Sequence, residues 1–163
     1  MAAQLRRQFD RSFSEPYRPP PAPFVDLLAI RLAGRRHALR QDQVSGLVAR
    51  RPVVAIPSAN RHLLGLAGIR GALVPVFSLA TLAGVEESGE QPQWLVLCGR
   101  EEPLALAFQD LEGYVRIPLT DLVGAEATGV VAVIDGEARV LLDVPTIVGR
   151  VRRGRGAEAT NER

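Results

Sequence analysis

Apolar positions along this chain come in short runs that alternate with single polar residues and stop at glycine, the pattern of strands joined by tight turns. FVDLLAIRLAG (24–34) predicts a strand entering a turn at Gly34-Arg35, with His37 to Arg40 returning beside it. QDQVSGLVARR (41–51) fits a helical turn or a further strand, and VVAIP (53–57) is extended until Pro57 stops it. LLGLAGIRGALVPVFSL (63–79) predicts a hairpin turning at Arg70-Gly71, where glycine supplies the positive φ of a two-residue turn. SLATLAGV (78–85), with a serine N-cap and a closing glycine, predicts two turns of helix. After the polar stretch EESGEQPQ (86–93), Trp94–Cys98 and Leu104–Phe108 predict a hairpin and Tyr114–Ile117 a strand. GVVAVIDGEARVLL (129–142) predicts a hairpin turning at Asp135-Gly136, and Asp143 caps a last short helix with Pro145 in its first turn.

The pattern repeats about 65 positions apart. AGIRGALVPVFSLATL (67–82) laid on AVIDGEARVLLDVPTI (132–147) matches Ile69 with Ile134, Gly71 with Gly136, Ser78 with Asp143 and Thr81 with Thr146. RLAGRRHAL (31–39) falls on VLCGREEPL (96–104), and VSGLV (44–48) on LEGYV (111–115) after a two-residue slip. The chain therefore reads as two related small β-domains, 24–85 and 94–149, joined by the linker 86–93. Short strands with glycine turns favour a mostly β fold of small barrels over a parallel α/β sheet.

Composition sharpens this. Of 163 residues, 47% are hydrophobic and 23% charged, enough apolar mass for a core. A half of about 60 residues is marginal alone, so the halves are expected to pack on each other. No apolar run reaches a membrane span and the N-terminus lacks a signal-peptide core, so a cytoplasmic protein without direct membrane insertion is expected. Residues 1–23, polar and ending in PPPAP, are expected to be a disordered arm, and 150–163 a disordered tail. The net charge is only +2, all basic residues are arginine, and many lie in these ends: Arg6, Arg7, Arg11, Arg18, Arg150, Arg152, Arg153 and Arg155.

The residues offer no catalytic constellation. His37 and His62 lack metal-ligand spacing and are expected to be solvated, and no nucleophile elbow, phosphate loop or dinucleotide fingerprint occurs. No metal or cofactor is expected. Cys98, within WLVLC, reads as a small buried hydrophobe. A small-barrel nucleic-acid-binding protein with Arg-rich tails is the alternative, but it needs aromatic stacking platforms, and aromatics are 5% of the chain.

The hairpin LLGLAGIRGALVPVFSLATLAGV, through Gly65, Ile69, Arg70, Gly71, Val74, Pro75, Val76 and Leu79, resembles the signature of the CheW-like coupling proteins of bacterial chemotaxis. The resemblance spans roughly 24–149 and includes Val44–Leu47, Pro57 and the closing DGEARVLLDVPTIV. It implies two five-stranded, SH3-like barrels and a non-catalytic adaptor. Its implied partners are the cytoplasmic tip of a methyl-accepting chemoreceptor, held in an apolar groove between the barrels, and the CheW-like regulatory domain of a CheA-type histidine kinase. It also implies recruitment to receptor arrays and no nucleic-acid partner. Arg70 and Gly71 are candidate interface residues; Val44, Leu47, Leu111 and Tyr114 are candidates to face the groove. The chain departs from the pattern at Ser78 and Ala80, where the family has aspartate and arginine, at Gly46, where it has an acid, and at Phe108-Gln109. It is also shorter between Leu122 and Gly129.

Overall fold

The structure is a computed structural model that describes residues 19–20, 23–125 and 129–161; the side chains of Ala125 and of 157–161 are not included. The expected disordered arm lies almost wholly outside the described residues.

Local sequence sets the elements in the expected order. A nine-residue strand β1 (Phe24–Leu32) turns into β2 (Arg35–Arg40), and a single 3-10 turn (Gln41–Gln43) leads to β3 (Gly46–Ala49), so the ambiguous 41–51 stretch is both turn and strand. The hairpin β4 (Leu63–Ile69) and β5 (Ala72–Ser78) runs into a one-turn helix α1 (Leu79–Leu82), shorter than expected, whose N-cap Ser78 accepts from the Thr81 amide. The hairpin β6 (Trp94–Cys98) and β7 (Leu104–Phe108) is followed by β8 (Asp110–Pro118), β9 (Leu122–Ala125), β10 (Gly129–Ile134) and β11 (Glu137–Leu142). Helix α2 (Val144–Asn161) starts where Asp143 accepts from the Thr146 amide at 3.2 Å.

These strands form two sheets, β8-β1-β2-β11-β10-β9 and β3-β6-β7-β5-β4, each curled over its own apolar interior as a small SH3-like barrel. The pairing corrects the expected division into 24–85 and 94–149. One barrel is discontinuous, 24–40 with 110–142; the other, 46–108, is inserted between those parts. The cause is exchange of the leading hairpins: β2 runs parallel to β11 (His37 with Val140, Leu39 with Leu142) and β7 runs parallel to β5 (Val76 with Ala105, Ser78 with Ala107). The stretch 86–93 consequently connects α1 to β6 within one barrel and does not separate the two.

The repeat survives the exchange. β3-β6-β7-β5-β4 and β8-β1-β2-β11-β10 have the same order, and both hairpin turns have the same backbone: Arg70 φ 50° with Gly71 78°, and Asp135 51° with Gly136 77°. Both are two-residue turns with positive φ at each central residue, which suits the right-handed twist of the strands they join.

Three apolar clusters hold the molecule. Leu27, Ala38, Ala132 and Ile134 fill one barrel, and Ala67, Val76, Leu95 and Ala105 the other. The third and largest lies between them: Leu28, Ile30, Leu32 and Leu39 meet Phe77, Val96, Leu106 and Phe108. Strands β1 and β7 thus bury both faces, which is why they read as nearly unbroken apolar runs instead of alternating. Burying this layer is what joins two half-size barrels into one stable body.

Helix α2 corrects the expectation of a disordered tail from residue 150. Val144, Ile147 and Val151 are buried in the shared cluster and Val148 packs against it. Their spacing of three and four residues forms one helical stripe. Arg152 then donates to the Glu102 carbonyl on the β6–β7 turn at 3.3 Å. His37 is likewise not solvated: it is buried on β2, with Nδ1 donating to the Arg35 carbonyl at 3.0 Å.

Candidate functional site

The Arg70-Gly71 turn places its arginine at the exposed end of the β4–β5 hairpin. Its guanidinium folds over β3: Nη2 is 3.7 Å from where a Cβ at Gly46 would stand. An acidic side chain at 46 would begin within reach of Arg70. Glycine leaves the guanidinium without an acidic partner among the described residues.

The four groove candidates divide. Val44, Leu47 and Leu111 are half-buried and pack on the inter-barrel cluster, with Leu47 opposite Val96 and Leu111 opposite Ile30. The structure therefore gathers these three on the edge of one apolar layer. Tyr114 does not join them; paired with Leu28 on the outer strand β8, it remains 59% exposed.

The sequence reasoning missed two outward-facing apolar rows. On one barrel, Val54 bridges Leu66 on β4, which opposes Pro75 on β5; directly opposed residues share a face. Val54 and Leu66, with Ile56, Leu73 and Arg51, border a shallow cavity of about 420 Å³, and Leu73 is 74% exposed. On the other barrel, Val123, Val131 and Val140 line up across β9, β10 and β11, with Val123 and Val140 about half exposed. Leu66 and Val131, and likewise Pro75 and Val140, are 65 positions apart. The rows are repeat equivalents. That offset was the signal that could have found them.

Electrostatic contacts elsewhere support the barrels. Glu112 on β8 pairs with Arg31 on β1 and with the buried Arg139 on β11. The Arg31 hydrogen bond, helped by Arg139, holds the Glu112 carboxyl below the usual carboxylate range. Burial pushes the Cys98 thiol up to about 12, so it is an inert core residue and not a nucleophile. His62 bonds Thr81 through Nδ1 and is half-buried, again not simply solvated. Among the described residues, no group of three or more His, Cys, Asp or Glu could hold a metal ion, and no helix is long and apolar enough to cross a membrane.

The arrangement presents two outward apolar rows, an arginine without an acidic partner among the described residues, and an apolar layer that joins the barrels. Compared with curated protein sequences, the chain has no significant match. Among solved structures it is similar to the scaffolding protein TtCheW from Thermoanaerobacter tengcongensis, with 15% identity, a TM-score of 0.64, and coverage of 73% of this chain and 88% of that one. The CheW-like domain model matches residues 26–152, which takes in both barrels and the first half of α2, and on that match the chain belongs to the CheW-like domain family.

Proposed function

We propose that this chain is a non-catalytic adaptor of a chemotaxis-like pathway, joining the cytoplasmic tip of a methyl-accepting chemoreceptor to the CheW-like regulatory domain of a CheA-type histidine kinase. The observation that carries this reading is the pair of repeat-equivalent apolar rows, Val54–Leu66–Pro75 and Val123–Val131–Val140, one on each barrel of a rigidly joined body. Patches this apolar on separate faces suit protein partners. Family membership and the fold shared with a scaffolding protein point the same way.

In this reading the helical tip of the receptor lies against the edge formed by Val44, Leu47 and Leu111 and reaches the exposed Tyr114 further along β8, so that an apolar helix face finds half-buried and exposed contacts. The kinase domain, itself CheW-like, meets the outer barrel face near the Arg70-Gly71 turn. Arg70, without an acidic partner among the described residues, is available to a carboxylate of that partner, and arginine is enriched among residues that dominate interfaces. The adaptor works in the cytoplasm and is recruited to receptor arrays by these contacts. No observation favours the nucleic-acid alternative.

Calorimetric titration with the receptor tip and the kinase domain of the same organism tests the proposal. Arg70→Glu is expected to keep the wild-type melting curve and weaken the kinase contact about tenfold, ~1.4 kcal/mol. If the wild type binds neither partner, the coupling role is wrong. If the variant binds both normally, the role of Arg70 is wrong.

A further inference from the structure

A second concavity lies away from the apolar rows, where the loop before β4, the end of α1 and the middle of α2 meet. Its volume is about 590 Å³, within the range of small-molecule sites. Arg61 and Arg150 line it from different elements and His62 lines it between them; the lining contains no acidic residue. Neither arginine has an acidic partner among the described residues. Leu82 and Val151 supply an apolar floor.

The His62 ring is held in one orientation. Thr81 Oγ1 donates to the Ser78 carbonyl at 3.2 Å, a group that can only accept, so the same hydroxyl oxygen receives Nδ1–H of His62 at 2.9 Å. This assigns the Nδ1–H tautomer and leaves Nε2 without a partner among the described residues. Three of the carbonyls at α1, those of Leu79, Ala80 and Thr81, are taken by the amides of Ala83, Val85 and Gly84.

We propose that this cavity binds a small phosphate monoester, with Arg61 and Arg150 on the phosphate, His62 beside it, and Leu82 and Val151 against an apolar or ring-shaped body. Guanidinium groups match phosphate oxygens in planar, bidentate geometry, and a phosphate offers more acceptors than a carboxylate to donors converging from two arginines. The volume leaves room for the organic part beyond the phosphate. The site stands apart from the docking surfaces and does not depend on the adaptor reading.

Titrating the full isolated chain with adenosine monophosphate, followed by backbone amide NMR, tests this without any protein partner. Expected is saturable movement confined to His62, Thr81, Gly84 and Val151, weakened about fivefold or more in Arg61→Gln and in Arg150→Gln but unchanged in Arg100→Gln, an exposed arginine outside the cavity. Both cavity arginines lie on the surface, and the unmoved remainder of the spectrum reports that each variant is folded. Three results overturn the proposal: no saturable movement at millimolar AMP, movement spread equally over Arg100 and other surface arginines, or adenosine binding as well as AMP. Inorganic phosphate binding as tightly as AMP overturns the organic part of the ligand assignment.

Discussion

Gly65 and Val54 lie so close that no other residue fits at 65: a Cβ there would collide with the Val54 carbonyl oxygen, with Ala55 Cα only 3.0 Å away. Val54 and Leu66 exchange both backbone hydrogen bonds, at 2.8 and 2.9 Å, and this bridge pins an otherwise irregular segment against β4. Gly65 also has φ of +150°, which side-chain-bearing residues rarely adopt. One glycine thereby holds Val54 in the outward apolar row.

Gly65→Ala is therefore expected to destabilise the fold by about 2–4 kcal/mol, because the obstructing atoms are backbone and cannot rotate away. In a thermal melt that is a fall of roughly 4–16 °C. A melting point within a degree or two of wild type would show that the Val54 segment moves freely.

Val151 anchors the second half of α2, buried to 3% exposure. Val151→Asp is expected to cost about 3 kcal/mol or more, since it removes apolar contacts and places a carboxylate in the shared cluster. Arg155→Gln, exposed and four residues further on, is expected to leave the melt unchanged. Equal melting of both variants and wild type would mean that α2 does not dock.

The boundary of what could be read from sequence runs along the distinction between local and non-local pairing. Gly71 and Gly136 declared their turns, and Ser78 and Asp143 their caps, because each acts on residues next to it. The hairpin exchange left no such mark: Val76 beside Ala105 and Leu39 beside Leu142 are apolar residues that would suit either arrangement of the barrels. Helix α2 was obscured by Gly149, Gly154 and Gly156 and by a run of arginines, although Val144, Ile147, Val148 and Val151 carried its period. In the site, the exposed turn arginine was legible from the hairpin, whereas the rows through Leu66 and Val131 required the repeat offset to be applied to outward positions as well as inward ones. The repeat equates Tyr114 with Leu47, yet Leu47 packs on the shared cluster and Tyr114 stays exposed.

Glu112 links stability to pH. Its folded carboxyl titrates below the ordinary value because Arg31 and Arg139 favour the ionised form. The stabilisation is thus complete above about pH 4.5 and is lost as pH falls through the lower, folded value. Glu112→Gln is expected to cost about 2 kcal/mol at neutral pH, because the buried Arg139 loses its counter-charge. The variant should also lose less stability than wild type between about pH 5 and pH 3. Denaturant melts across that range check both; parallel pH profiles for the two proteins would exclude Glu112 as the titrating group.

The measurement that tests the coupling role most directly is whether the receptor tip and the kinase domain bind this chain at the same time. Light scattering behind size exclusion, with all three components mixed, is expected to give one species whose mass is the sum of the adaptor and both partners, and Leu73→Asp on the outer row should release the kinase domain while retaining the receptor tip. Mutual displacement of the two partners, or a mass that never exceeds the adaptor with one of them, would contradict it.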